Sequence, residues 1–190
     1  TISPSAVATE GPAGNLEVGE EYSVRDLVKA MLVVSSNDAA TAIAEFYGQE
    51  QFINRMNVKA ALLGMRQTSF ADSTGISFLN QGTAEDLEKL AKYIYENHPE
   101  LLEITRQKSV RILELSKNAE KELLNINNFA FNGHPDFVGG KTGFTDQAGG
   151  NLLSIFDHEG KKILVIVFGT EDRFGETKKL YNWVKEAYSF

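Results

Sequence analysis

Val138-Gly139-Gly140-Lys141-Thr142-Gly143-Phe144-Thr145 is the stretch whose reading decides the fold. It sets a lysine, two hydroxyls and three glycines ahead of two apolar runs. The first run, Gly150 to Phe156, is rich in Leu and Ile; the second, Lys161 to Gly169, contains ILVIVFG. Between them Asp157-His158-Glu159-Gly160 is polar and ends in glycine, as a hairpin turn should. The pattern predicts an antiparallel sheet with Lys141 on or beside one of its strands. A strand edge next to a cleft can bind an extended peptide through main-chain hydrogen bonds. Gly139, Gly140 and Gly143 would keep side chains out of that approach. Taken alone, Lys-Thr-Gly is more simply a polar strand start.

Working outward, residues 1 to 20 hold Pro4, Gly11, Pro12, Gly14 and Gly19, which is loop composition. Ser23 is placed to cap a helix whose apolar face is Val24, Leu27, Val28, Met31 and Leu32. That helix falters at Ser35-Ser36-Asn37, where short polar side chains compete for the backbone. A second helix runs from about Asp38 to Gly48 and a third from Gln49 to Leu63, with Gly64 as its stop. Thr68 to Ile76 is turn-rich, Thr83 caps a helix through Ile94, and Pro99 opens a short one. Val110 to Leu115 reads as a strand with Val110, Ile112 and Glu114 on one face. Asn118 to Asn128 is polar and ambiguous. The last helix, about Gly175 to Tyr188, should turn Leu180, Trp183, Val184 and Ala187 inward. With no repeat and no linker, residues 1–190 read as one α+β unit, an antiparallel sheet flanked by helices.

Composition removes several functions. Apolar residues make up 42% of the 190 and charged residues 24%, which is ordinary for a globular protein. A formal charge of −7 without a dense basic run argues against nucleic acid. With no cysteine there is no disulfide, thiol nucleophile or zinc–thiolate site. No stretch reaches the roughly 20 apolar residues of a membrane helix. His98, His134 and His158 are expected at the surface, and Asp72 and Asp146 in turns. Phe129, Phe131 and Phe137 should pack under the sheet, and Glu120-Lys121-Glu122 should form a solvated face.

Two polar constellations remain, Ser35-Ser36-Asn37 and Lys141-Thr142-Gly143. They resemble two of the three signature motifs of the penicillin-interacting serine enzymes, S-D-N and K-T-G, with Ser36 in place of the Asp, so that the first is matched as a looser Ser-x-Asn. Leu27 to Ala40, Leu63 to Gly75, Thr83 to Asp86 and Gly139 to Thr145 follow in the matching order. The chain from about Val18 to Phe190 thus resembles the D-alanyl-D-alanine carboxypeptidases, the low-molecular-mass penicillin-binding proteins. The third motif, S-x-x-K, is not here: no serine is followed three positions on by lysine. Thr1 in place of Met fits a processed piece lacking the nucleophile helix and the N-terminal strands.

The resemblance implies a serine-type carboxypeptidase of the cell envelope, outside the cytoplasmic membrane, that trims terminal D-alanine from peptidoglycan stem peptides and needs no metal or organic cofactor. It gives Ser35 a part in proton relay and Asn37 the substrate amide. Lys141 supplies positive charge, and Thr142 a hydroxyl for the terminal carboxylate. Gly143 to Thr145 offer backbone groups. Alone, the chain is expected to be inactive, with β-lactam antibiotics binding once the nucleophile segment is restored. Its uncovered strand edge calls for a bound N-terminal peptide or a homo-oligomer. The alternative is a non-catalytic relative that binds cell-wall peptide or a protein partner; a β-lactamase fits the flanking sequence less well.

Overall fold

A computed structural model describes residues 1–11 and 14–188. Pro12 of the predicted loop and Phe190, where the resemblance ends, lie outside the described residues. α1 (Pro4–Val7) is a single turn capped by Ser3. α2 (Val24–Val33) starts where expected, with Ser23 Oγ accepting from Asp26 N at 3.0 Å. It buries Leu27, Ala30 and Val33 against Ile2, Leu16 and Ile112. α3 (Asn37–Tyr47) begins one residue before the predicted Asp38, because Ser36 is its cap and accepts from Ala39 N at 3.0 Å. Gly48, at φ 97, turns the chain into α4 (Gln49–Leu62). α5 (Ala84–Asn97) follows its Thr83 cap, and α6 (Pro99–Thr105) its proline.

β1 (Ser109–Glu114) buries Val110, Ile112 and Glu114. The ambiguous segment after Asn118 becomes β2 (Ala119–Leu124), paired antiparallel with β1 so that Ser109 faces Leu124. Its alternation is hidden because Leu123 is the one buried residue of the six. Glu120 and Glu122 are solvated as expected, but Lys121 is not. Its ammonium donates to the buried carboxylate of Glu20 at 2.8 Å. α7 (Asn128–Phe131) then leads to a three-stranded antiparallel sheet of β3 (Phe137–Thr145), β4 (Gly149–His158) and β5 (Lys161–Thr170), in that order. Glu159 and Gly160, at φ 52 and 81, make the two-residue turn between β4 and β5, the left-handed pair that matches strand twist.

The chain ends in α8 (Arg173–Ala187), capped by Asp172, two residues earlier than predicted. Its inward face is Phe174, Thr177, Tyr181 and Val184. Of the predicted stripe only Val184 packs inward, while Leu180 and Trp183 are 42% and 55% exposed and Ala187 is also exposed. Tyr181 wins the inner position because both of its ends are satisfied there. Its ring stacks on Phe156 at 4.2 Å and its hydroxyl donates to Asp136 at 2.7 Å. Phe129 and Phe137 join this cluster as expected; Phe131 stays exposed. His134 corrects the surface expectation, since its ring packs edge-on against Phe129 and Phe156 and burial lowers its pKa. The opposite face of the sheet, at Ile155, meets Ala91 of α5 and Leu102 of α6. Among the described residues, β3 and β5 each pair only with β4.

Candidate active site

Three segments distant in sequence line one cleft of about 430 Å³. They are the α2–α3 corner, the loop Ser73 to Ile76, and β3 from Lys141 to Thr145; Arg173 of α8 closes one end. At the corner Ser35 sits at φ 55, left-handed backbone that costs a non-glycine residue about 1–2 kcal/mol. The turn reverses the chain between two helices and presents the hydroxyl to the cleft, where it accepts from Lys141 Nζ at 2.7 Å. Ser36, next along, is buried as the helix cap and touches Asp38. The Asp38 carboxylate in turn holds the amides of Gly14 and Leu16, at 2.9 and 3.4 Å. Asn37 lines the cleft, and its Nδ2 donates to the Glu10 carbonyl at 2.8 Å.

From the sheet side, Lys141 Nζ also donates to the Thr142 carbonyl at 2.6 Å. Burial of the ammonium, with the Arg173 guanidinium adding repulsion, lowers its pKa from 10.5 to about 8. Thr142 is buried, opposite Leu152 on β4. Thr145 Oγ1 accepts from Ala148 N at 3.1 Å and so closes the β3–β4 turn.

The glycines divide. A Cβ at Gly139 would fall 2.7 Å from Thr105 Oγ1, and one at Gly140 would collide with the Leu153 carbonyl. Those two make room for α6 and β4, not for a ligand as the sequence implied. At Gly143 the nearest atom would be Asn151 Cβ at 3.7 Å, ordinary contact. Its neighbours do not demand a glycine there.

Two contributors escaped the sequence reading. Arg173 Nη1 donates to the Gly143 carbonyl at 2.8 Å, tying α8 to β3 beside Lys141. The available signal was its position: an arginine in the first helical turn opposes the helix dipole and calls for another reason to be there. Asp72, read only as a turn former, organises the facing loop. Its carboxylate accepts from Thr74 N and Gly75 N, both at 2.6 Å, and from Ser77 N and Asn80 Nδ2, both at 2.8 Å. The cleft therefore carries two cations and hydroxyls from all three segments, with no carboxylate among its described lining residues. That arrangement fits an anionic ligand lying along the free edge of β3.

Residues 1–172 match the family described as D-alanyl-D-alanine carboxypeptidase. The chain belongs to that family. The D-alanyl-D-alanine carboxypeptidase DacC of Escherichia coli is 32% identical over 195 residues, covering 96% of this chain and 47% of the relative. A solved D-alanyl-D-alanine carboxypeptidase from Mycobacterium tuberculosis superposes with a TM-score of 0.85 at 26% identity, over 98% of this chain and 72% of that one. Penicillin-binding protein D2 from Listeria monocytogenes, solved in its ampicillin-bound form, gives 0.75 at 34% identity over 85% and 66%. The chain spans about half the length of the curated relatives it matches. Among the described residues no helix is long and apolar enough to cross a membrane.

Proposed function

We propose that this chain forms the substrate-binding half of a serine-type D-alanyl-D-alanine carboxypeptidase acting on peptidoglycan stem peptides in the cell envelope. The observation that carries this is the Lys141–Ser35 contact beside Arg173, in a cleft that among the described residues has no carboxylate and lies on an unpaired strand edge. A stem peptide extends along β3, its main chain pairing near Gly143 and its terminal carboxylate meeting Thr142 and the two cations. Lys141, with its lowered pKa, shares a proton with Ser35 so that the pair relays it between attacking and leaving groups. Asn37 hydrogen-bonds the substrate amide, and backbone groups of Gly143 to Thr145 steady the oxyanion.

The attacking serine of this reading lies outside residues 1–190, which contain no S-x-x-K. A mostly apolar cavity of about 490 Å³ adjoins Lys141 between β3, α5 and α6, and we assign it to the apolar face of the segment that brings that serine. Acyl transfer then follows: the serine attacks the penultimate D-alanine carbonyl, D-alanine leaves, and water frees the acyl-enzyme. β-Lactam antibiotics would acylate the same serine.

The test is binding of an acyl-D-alanyl-D-alanine peptide and of its C-terminal amide to the purified chain. The acid should bind more tightly, Lys141→Met and Arg173→Ala should each remove that preference, and no D-alanine should be released. Release of D-alanine by residues 1–190 would overturn the placement of the nucleophile. Equal binding of acid and amide would favour a non-catalytic relative with another partner.

A further inference from the structure

We propose that a third cavity, where α4 meets Leu90 of α5, binds a small anionic amphiphile: an apolar body with a carboxylate or phosphate head. Phe52, Met56, Met65 and Phe70 surround about 370 Å³ there, within the range of small-molecule sites. None of its lining residues belongs to the 430 Å³ cleft, and it shares only Phe70 and Leu90 with the apolar cavity beside β3. Arg55 and Lys59 stand at its wall, one helical turn apart on the same face of α4. Like charges at that spacing repel, and among the described residues no carboxylate lies within ion-pair distance of either. Lys59 Nζ donates to the Tyr93 hydroxyl at 3.1 Å and lies 4.6 Å from the centre of its ring. Arg55 has no ion pair among the described residues.

Lys29, Lys89, Lys121, Lys162 and Lys179 each sit on a carboxylate within 3 Å; of the cations that do not, Arg55 and Lys59 are the two that line this cavity. Two adjacent unpaired cations beside an apolar cavity, in a chain of net charge −7, mark a place where a negative head and an apolar tail are both accommodated. The net charge also separates a single bound molecule from an anionic membrane surface, which would repel the chain as a whole.

The three methionines make the test direct. Met56 and Met65 line this cavity, whereas Met31 lines the Lys141 cleft. With methyl-labelled methionine, decanoate below its micelle concentration should shift the Met56 and Met65 signals saturably, one molecule per chain, and leave Met31 in place. Decyl phosphate in a parallel titration distinguishes the two head groups, and tighter binding of either supports the site. The neutral 1,2-decanediol should bind about tenfold more weakly, and Arg55→Gln with Lys59→Gln should weaken decanoate by a similar factor, as expected for two exposed ion pairs. Both substituted side chains are exposed, so the double variant should fold. Movement of Met31 alone, unsaturable shifts of all three, equal binding of the diol, or an unaffected double variant would each overturn the proposal.

Discussion

Lys141 Nζ and Ser35 Oγ, 106 positions apart in the chain, meet at 2.7 Å inside the cleft. The contact joins the edge strand of the sheet to a helix corner whose backbone is strained at that serine. Both partners are therefore held in states they would not adopt in isolation, the lysine desolvated and the serine left-handed.

The lysine should be a measurable liability. Its folded pKa of about 8 lies below the unfolded 10.5 through burial first and Arg173 second. Between these values the unfolded chain binds more protons than the folded one, so this group's contribution to stability rises with pH across that window. A change from 10.5 to 8 corresponds to about 3 kcal/mol. Lys141→Met should stabilise the protein at neutral pH by about 1–3 kcal/mol, the lower end applying if the Ser35 hydroxyl is left unsatisfied. Urea unfolding should show the two proteins converging as pH rises from about 8 to 10.5. A gap that stays constant would mean that the ammonium is not desolvated.

Ser35 separates backbone from side chain. Ser35→Ala and Ser35→Gly both lose the hydroxyl, but only glycine relaxes φ 55. The glycine variant should be the more stable of the two by about 1 kcal/mol. Equal unfolding midpoints would mean that the corner is not strained.

Much of this architecture could be read from local chemistry. Ser23, Thr83 and Pro99 mark helix starts because capping is decided within a few residues, and the two-residue turn at Glu159-Gly160 fixes the hairpin register. The Ser35 and Lys141 segments stand out in the sequence, but their contact is tertiary and nothing local announces it. The sequence misled where two solutions were locally equal. Either stripe of α8 is apolar enough to bury, and the choice depends on Asp136, 45 positions before Tyr181, offering its carboxylate to that hydroxyl. Likewise Gly139 and Gly140 looked like clearance for a ligand, because nothing nearby in sequence announces that Leu102 and Leu153 press on them.

That distinction between glycines is testable. Gly140→Ala should destabilise by about 2 kcal/mol or more, since the new methyl group would meet the Leu153 carbonyl within the sheet. Gly143→Ala should change stability by less than about 1 kcal/mol yet weaken peptide binding, if the ligand main chain passes there. Chemical denaturation and the peptide titration together check the pair; a strongly destabilised Gly143 variant would show that its role is in packing.

Asp72 should order the wall facing Lys141. Asp72→Ala removes the acceptor shared by Thr74, Gly75, Ser77 and Asn80. Amide exchange at Gly75 and Ser77 should rise at least tenfold while the β3–β4 amides keep their protection. Unchanged exchange in the loop would mean that its shape comes from elsewhere.

Acid sensitivity should centre on Glu114, which is fully buried at the end of β1. Its carboxylate accepts from Ser116 Oγ at 2.6 Å, Glu21 N at 3.0 Å, Lys117 N at 2.6 Å and Ser116 N at 3.2 Å. Those bonds, the Ser116 hydroxyl foremost, hold its pKa at about 2 against an ordinary 4.5. With the folded pKa depressed, the stabilisation is present above about 4.5 and is lost as pH falls towards 2. Glu114→Gln keeps the volume but turns a donor towards amides that also donate, so it should lower Tm at neutral pH. Its Tm should then fall less steeply than the unsubstituted chain's between about pH 4.5 and 2, because the group that would have been protonated is gone. Parallel acid limbs for the two proteins would move the acid-labile clamp to another carboxylate.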